Sequence, residues 1–462
     1  MYSTLLQSVD GEALSEHFAR MARRQALTLL VPVLPDPVVG TPEDCQDFSA
    51  DISETPDGSW LRVRVGSSLR EPPASDGDPL EADIIEREAG VTTLGMVSLE
   101  RGAPLYATAA RAVVALEERG LAVHRVLLIR AQKGFVHPGL LDPDELFERV
   151  DITDPVRAVP LPDGSEVVAD TLSHSGASHP RSTESGGQAA VDDPRTLFLG
   201  KKRGEELISA GVTSLRDLPE GVTLSRRQTL QVAAIEGGVA HVDQPALDAF
   251  LSALQYPVRY LDFEAFSMPV PPFAGARSWE HIPYLYTVQS VLDPGAPAER
   301  SWYLGETLEA IGDEFCTRLL EHLGEEGSIV VYGRDFEARA IARLAERLPA
   351  RAVPLRNLLG RIVDLSSVFS EFAYYHPLQR GSVSMKSVLP VLTGRGYDDL
   401  VIRNGRQANL LFGLSVFSGT PLSEQHRHHL VEYCLRDTEG MVWMVEALSR
   451  LNHPPGEPIG SA

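Results

Sequence analysis

From residue 257 onward the chain switches repeatedly between short apolar runs and apolar positions spaced three and four apart, the alternation that builds a sheet flanked by helices. Extended segments are predicted at 260–266, 284–291 and 302–304, a helix at 308–323, a strand at 328–332 and a helix at 335–348. A last, long helix is predicted from about 425 to 448. A shorter version of the pattern lies upstream. Strands at 82–86 and 93–99, a helix at 105–119 and a strand at 123–130 give the order β-β-α-β of a small α/β core. Residues 196–255 read as short helices at 201–210, 225–236 and 244–255, punctuated by Gly211, Gly221 and Gly237-Gly238. Residues 1–80 are rich in Pro, Asp and Gly and carry one helical stretch at 15–29. No repeat of solenoid period occurs.

The segment 171–194, with Ser-His-Ser-Gly-Ala-Ser-His and Ser-Thr-Glu-Ser-Gly-Gly, has the composition of a linker and marks the clearest boundary. At 462 residues the chain is too long for one ordinary core. The expected division is an N-terminal α/β domain at 1–170, a linker at 171–195, a helical connector at 196–255, a second α/β domain at 256–452 and a tail at 453–462. Hydrophobic residues at 43% and charged residues at 23% are the proportions of a soluble globular protein. The formal charge of −22 argues against a protein that coats nucleic acid non-specifically, so any such engagement must be local, through a groove, a metal or a partner. Cys45, Cys316 and Cys434 lie far apart, which argues against zinc ribbons, iron–sulfur sites and a disulfide framework. No apolar run approaches the ~20 residues of a membrane span, and the N-terminus lacks signal-peptide regions, so a cytoplasmic location is expected.

Candidate chemistry begins at Leu-Asp-Phe-Glu-Ala, 261–265. Asp262 and Glu264, two apart on a strand, project from one face. Buried carboxylates are costly unless a positive charge lies between them, and a hard divalent cation suits oxygen ligands of this kind. Taken alone, the pair reads more simply as solvated acids on an edge strand. Glu337 follows the strand at 328–332, near the end where α/β sheets place functional groups, while Asp335 reads as the cap of the helix it opens. Tyr433 and Asp437 share a helix face, beside a stripe of Leu430, Cys434 and Met441.

The order of DxE, then strand-turn-helix with an acid, then YxxxD resembles the three motifs of the DEDD superfamily of ribonuclease H-like 3′–5′ exonucleases. Tyr433, four residues before Asp437, resembles the tyrosine subclass, DEDDy. More closely, 196–448 looks like part of a bacterial family that joins a RecB-type PD-(D/E)XK nuclease domain to a DEDD-like domain. The segments that carry this likeness are Leu-Gly-Lys-Lys-Arg-Gly (199–204), Tyr-Pro-Val-Arg-Tyr-Leu-Asp-Phe-Glu (256–264), Val-Asp-Leu (363–365), Gly-Ser-Val-Ser-Met-Lys-Ser-Val-Leu-Pro (381–390) and Tyr-Cys-Leu-Arg-Asp-Thr (433–438). The resemblance implies a ribonuclease H-like mixed sheet with flanking helices at 256–452. It further implies that Asp262, Glu264, Glu337 and Asp437 ligate two Mg²⁺ or Mn²⁺ ions about 3.5–4 Å apart, with Tyr433 orienting the attacking water. Two positions depart from the superfamily pattern. The second-motif acid is Glu337 rather than Asp, and Gly333 stands where an Asn is usual, which loosens substrate positioning.

Lys386, with Ser384 or Ser382 as hydrogen-bond donors, is placed to meet a substrate phosphate, or is a solvated lysine at a helix start; both readings stand. Asp364 reads as a cap for Ser366-Ser367 before it reads as an outer-shell acid. His426, His428 and His429 point in different directions on a helix and read as surface histidines rather than zinc ligands. Residues 80–150 resemble the PD-(D/E)XK core. Asp83 is present, but the next strand supplies no Glu and Lys in any register, and Gly102 follows Glu100 where the lysine is needed. A catalytically dead domain that binds substrate or a protein partner is therefore expected there. The connector, with six basic and seven acidic residues over 201–250, shows no basic patch and is expected to pack rather than bind.

The expected activity is metal-dependent 3′–5′ exonucleolysis of a single-stranded 3′ end, DNA or RNA. The alternatives are a catalytically inactive nuclease-like protein that binds nucleic acid or a partner, and a phosphodiesterase for small nucleotides.

Overall fold

The computed structural model describes residues 37–39, 46–47, 58–65, 80–98, 106–118, 120–160 and 190–452. The expected helix at 15–29, most of the linker (171–189) and the tail at 453–462 lie outside them, as do Glu100, Gly102 and the Asp83 side chain. The chain forms two units. One comprises Glu12–Arg181 and Ser267–His281; the other comprises Met1–Gly11, Ser182–Phe266 and Ile282–Ala462.

In the first unit the strands β1 (Pro37–Val39), β2 (Gln46–Asp47), β3 (Gly58–Val65), β4 (Leu80–Glu88), β5 (Val91–Ser98), β6 (Arg125–Ala131) and β7 (Phe147–Asp151) form one sheet. Its order is β1-β3-β4-β5-β6-β7, with β2 also paired to β3. The hairpin β4–β5 turns at Ala89-Gly90, both at positive φ (49° and 79°), the geometry that two-residue hairpins require. Helix α1 (Tyr106–Glu117) crosses between the parallel pair β5 and β6, so the β-β-α-β order predicted from periodicity is present. Its Ala109, Ala112, Val113 and Leu116 bury against Ile85, Leu94, Met96 and Leu128.

The loop at 267–281 groups with this unit rather than with the sheet it interrupts, which splits the expected 256–452 domain. The cause is main-chain pairing. His137 N–H donates to Ala276 O (2.9 Å), Gly275 N–H to His137 O (2.8 Å) and Ser278 N–H to Phe135 O (3.0 Å), around a Val136–Arg277 bridge.

The second unit is built on a five-stranded sheet, β9 (Val258–Phe266), β10 (Ile282–Val291), β11 (Glu299–Leu304), β12 (Ile329–Val331) and β13 (Ile362–Asp364), in the order β11-β10-β9-β12-β13. The β11–β10 and β10–β9 pairs are antiparallel, and β9–β12 and β12–β13 are parallel. Strand β9 is therefore the centre of a mixed sheet, not an edge, and needs apolar cover on both faces. Alternate residues supply it. Leu261 and Phe263 join Tyr286 and Val288 against helices α5 (Asp313–Leu323), α6 (Arg334–Arg347) and α7 (Ala352–Leu359). On the opposite face, α9 (Gly405–Ser418) and α10 (Glu424–Asn452) pack on β9, the latter also on β10.

The connector belongs to this unit. Helices α2 (Lys201–Ser209), α3 (Arg226–Gly237) and α4 (Gln244–Ser252) enclose Leu197, Leu207, Leu215, Val232 and Ile235, and β8 (His241–Val242) pairs with β14 (Tyr374–Tyr375). Buried Gln231 accepts from Phe198 N–H and donates to Thr196 O, both at 2.8 Å, satisfying main chain that no regular element pairs. Gly381 (φ +70°) sits where a Cβ would lie 1.8 Å from Thr196 O, so only glycine lets helix α8 (Met385–Thr393) approach the connector. Among the described residues no helix is long and apolar enough to cross a membrane.

Candidate metal centre

Strand β9 and helix α10, far apart in sequence, bring three carboxylates together. Oxygens of Asp262, Glu264 and Asp437 lie within 4.8 Å of one another. Glu264 is 6% exposed and Asp437 8%, while Asp262 keeps partial exposure as a residue although its carboxylate is enclosed. The edge-strand reading of the first pair therefore fails, because β9 is covered on both faces. On α10, Leu430, Cys434 and Met441 are fully buried, and this apolar stripe turns Tyr433 and Asp437 toward the sheet. The Cys434 thiol donates to Asp262 Oδ2 (3.3 Å), and Thr287, opposite Asp262 on β10, donates to Cys434 O (2.9 Å).

Glu337 enters from the first turn of α6. It is 3% exposed, and its Oε2 has no hydrogen-bond partner. It is not one of the trio within 4.8 Å, yet its charge acts on Asp262, Glu264 and Asp437. The cap of α6 is not Asp335, which is exposed. Asp364, from the end of β13, accepts from Gly333 N–H (3.0 Å) and Arg334 N–H (3.2 Å), and also from Ser366 N–H (2.9 Å). One carboxylate thus holds two chain turns, the expected one at Ser366 and the one that aims Glu337. Gly333 itself has φ +102°, a backbone position that an Asn side chain would strain.

Lys386 and two tyrosines complete the cluster. The Lys386 ammonium donates to Tyr433 Oη (3.2 Å) and Arg403 O (2.6 Å) and lies over the Tyr433 and Tyr397 rings (5.1 and 5.3 Å). Tyr397 donates a short hydrogen bond to Asp437 Oδ1. Ser384 stands at the exposed start of α8, bonded to Ser382 and Ser387 rather than to the acids. Gly405, opening α9, is so close that a Cβ there would touch Glu264 Oε2 at 3.5 Å. Tyr397, Cys434 and Gly405 were not identified from the sequence as parts of the site. Only the aromatic in Gly-Arg-Gly-Tyr-Asp-Asp, 394–399, was a signal, since a tyrosine amid turn residues has little reason to be in a loop.

The electrostatics follow from burial of like charges. Burial, then the Asp437 charge, pushes Glu264 up to about 8 against the pull of Lys386. Burial pushes Glu337 to about 8 as well. Asp437 rises to about 6, burial being offset by hydrogen bonds from Tyr397 and Tyr433 and by Lys386 and Arg436. Asp262 lies well above the carboxylate range, through burial and then the Asp437, Glu264 and Glu337 charges. Burial lowers Lys386, and the acids oppose it. Burial also holds Tyr433 as a neutral phenol. An all-oxygen donor set, mutual repulsion and an orphaned, buried Glu337 oxygen fit hard divalent cations held by Asp262, Glu264, Asp437 and Glu337.

The histidines are elsewhere. His428 is exposed and His428 and His429 both pair with Glu432, but His426 is buried, so the surface reading holds only in part. A family model described as a domain of unknown function (DUF2779) matches residues 259–384. That span takes in Asp262, Glu264 and Glu337 and ends before Lys386, Tyr433 and Asp437. No curated protein and no solved structure matches the chain.

Proposed function

We propose that the second unit is a ribonuclease H-like, metal-dependent exonuclease that hydrolyses phosphodiester bonds from the 3′ end of a single strand by a two-metal-ion mechanism. One observation carries the reading: a central strand and a distant helix bring the carboxylates of Asp262, Glu264 and Asp437 together, with buried Glu337 beside them and, among the described residues, only the Lys386 ammonium set against their four charges. Bound Mg²⁺ or Mn²⁺ would supply Lewis acidity and a nucleophilic water at neutral pH. The chain's own groups have separable tasks. Asp262, Glu264, Glu337 and Asp437 hold the cations. Tyr397 and the Cys434 thiol fix the Asp437 and Asp262 carboxylates in one orientation. Tyr433, kept neutral by burial, orients water through its hydroxyl rather than removing a proton. The Lys386 ammonium, already inside the acid cluster, steadies a non-bridging phosphate oxygen. The first unit, in this reading, is a degenerate PD-(D/E)XK domain that binds substrate or a partner.

The test is a panel of 3′- and 5′-labelled single-stranded DNA and RNA incubated with Mn²⁺ or Mg²⁺. Wild type is expected to shorten 3′ ends, and EDTA or Asp262→Ala to abolish shortening. Equal degradation by the Asp262→Ala protein would refute the assignment.

A further inference from the structure

A cavity of about 410 Å³ lies beside the metal centre, lined by Arg395, Gly396, Asp398, Asp399, Arg436 and Trp443. It shares two supports with the acids without being part of them. Tyr397, in the same loop, donates to Asp437, and Arg436 immediately precedes Asp437 on α10. Inside the cavity planar groups gather around one ring. The Arg395 guanidinium lies 4.3 Å from the Trp443 ring centre and that of Arg436 5.8 Å. Arg436 is engaged through its terminal nitrogens, with a fork of two bonds to Asp399 (2.7 and 2.8 Å) and another to Gly396 O, although its buried Nε has no hydrogen-bond partner. Arg395 is not. Its guanidinium makes no ion pair or hydrogen bond with a described residue, and neither does the Asp398 carboxylate.

An exposed guanidinium in a chain of charge −22 has many acids to choose from, yet this one rests on an aromatic face with its N–H edges free. The cavity therefore offers three unmatched features: a flat cationic π surface, free guanidinium donors and a free carboxylate acceptor. A simple anion meets Asp398 and Asp399, and a simple cation meets Arg395 and Arg436. A nucleotide satisfies all three features, with a base for the flat surface, a phosphodiester for the guanidinium edge and amino or hydroxyl donors for Asp398.

We propose that this cavity is a nucleotide subsite for the substrate strand, in which a base stacks on the outer face of Arg395, backed by Trp443, its phosphate meets the Arg395 N–H edge, and Asp398 accepts from base or sugar. The proposal rests on the exonuclease reading for the identity of the strand, but its ligand chemistry comes from the cavity itself.

The experiment is fluorescence anisotropy of a labelled single-stranded deca-deoxyadenylate with the full chain in EDTA, so that no cleavage intervenes. Arg395→Ala and Trp443→Ala are expected to weaken binding about tenfold, and Trp443→Phe to retain most of it. In Mn²⁺, Arg395→Ala is expected to raise KM with kcat little changed. Thermal melting of each variant guards against misfolding, and exposed Arg395 removes nothing from the core. Unchanged affinity in folded Arg395→Ala and Trp443→Ala proteins, or no oligonucleotide binding by wild type, would overturn the subsite. Weakened binding by the variants of a wild type that never cleaves would keep the subsite and remove the exonuclease reading. Cleavage with unaltered KM in both variants would do the reverse.

Discussion

Glu337→Gln separates a buried proton-holding carboxylate from an ordinary one. The side chain is 3% exposed with an unpartnered Oε2, and burial moves its titration from the ordinary 4.5 to about 8. The folded protein thus holds a proton that the unfolded chain releases near 4.5. The stability from this proton is present in full below that value and is lost as pH rises toward about 8. Tenfold in proton affinity is about 1.4 kcal/mol, so the ceiling on the loss at pH 8 is on the order of 4 kcal/mol. Relaxation and water entry reduce it to roughly 2–3 kcal/mol. Glutamine does not titrate, but its amide inherits the unpartnered position at a cost of about 1–3 kcal/mol at every pH. In EDTA the variant is therefore expected to melt below wild type at pH 5 and to reach or exceed it at pH 8. The difference between the two melting temperatures should move by roughly 5–10 °C across that range, at ~2–4 °C per kcal/mol for a unit of this size.

Adding Mn²⁺ at pH 8 should reverse the order. A cation at one hundred times its Kd stabilises the folded state by about 2.7 kcal/mol, and wild type alone keeps all four carboxylates to receive it. Differential scanning fluorimetry at five pH values, with EDTA and with Mn²⁺, reads both effects. Parallel pH curves in EDTA would show that Glu337 ionises normally and that its missing partner has no energetic meaning. Equal stabilisation of both proteins by Mn²⁺ would place Glu337 outside the cation site.

Tyr397→Phe removes the donor to Asp437 Oδ1 while keeping the ring under Lys386, so Mn²⁺ affinity measured by calorimetry is expected to fall about tenfold, and an unchanged Kd would show that the bond does not orient the carboxylate. Gly381→Ala places a Cβ 1.8 Å from Thr196 O at φ +70°, which combines a left-handed backbone with a clash against main chain. A loss of roughly 3 kcal/mol and a fall in Tm of about 5–10 °C are expected, and a Tm within a degree of wild type would mean that the connector can move aside at little cost.

The parts of this molecule legible in its sequence are those encoded by local periodicity. Strand β9 declares itself through Tyr260, Leu261 and Phe263, and the long helix α10 through Leu430, Cys434 and Met441, so Asp262, Glu264, Tyr433 and Asp437 could be placed on faces before any tertiary contact was known. Glu337 was legible because it opens a helix after an apolar strand. What escaped is encoded by main-chain partners far away. Asp364 caps α6 from 30 residues downstream, and the strand-like pairing of 135–137 with 275–278 draws the β9–β10 loop into the other unit. Neither leaves a pattern of side chains, because a backbone amide carries no signature in the sequence. Tyr397 escaped for a different reason: turn residues surround it, and its role depends on a carboxylate 40 positions later.

The charge arithmetic of the cluster bears on why so acidic a chain would act on a polyanion. Fully ionised, Asp262, Glu264, Glu337 and Asp437 with Lys386 carry three net negative charges in a space largely closed to water. A lone phosphodiester would be repelled from it. Under the proposed reading two divalent cations turn that deficit into one positive charge, the amount that one phosphodiester neutralises. Without cations the carboxyls tend to keep protons, and burial is the first cause: it pushes Asp437 up to about 6 and Glu264 and Glu337 up to about 8. In that reading protons and cations are rivals for the same oxygens, and cation binding would release protons over that pH range. Under the proposed reading the global charge of −22 then has a use: non-specific attraction is suppressed, and a strand is drawn to the places that reverse the local sign, Arg395 by itself and the acid cluster once cations fill it.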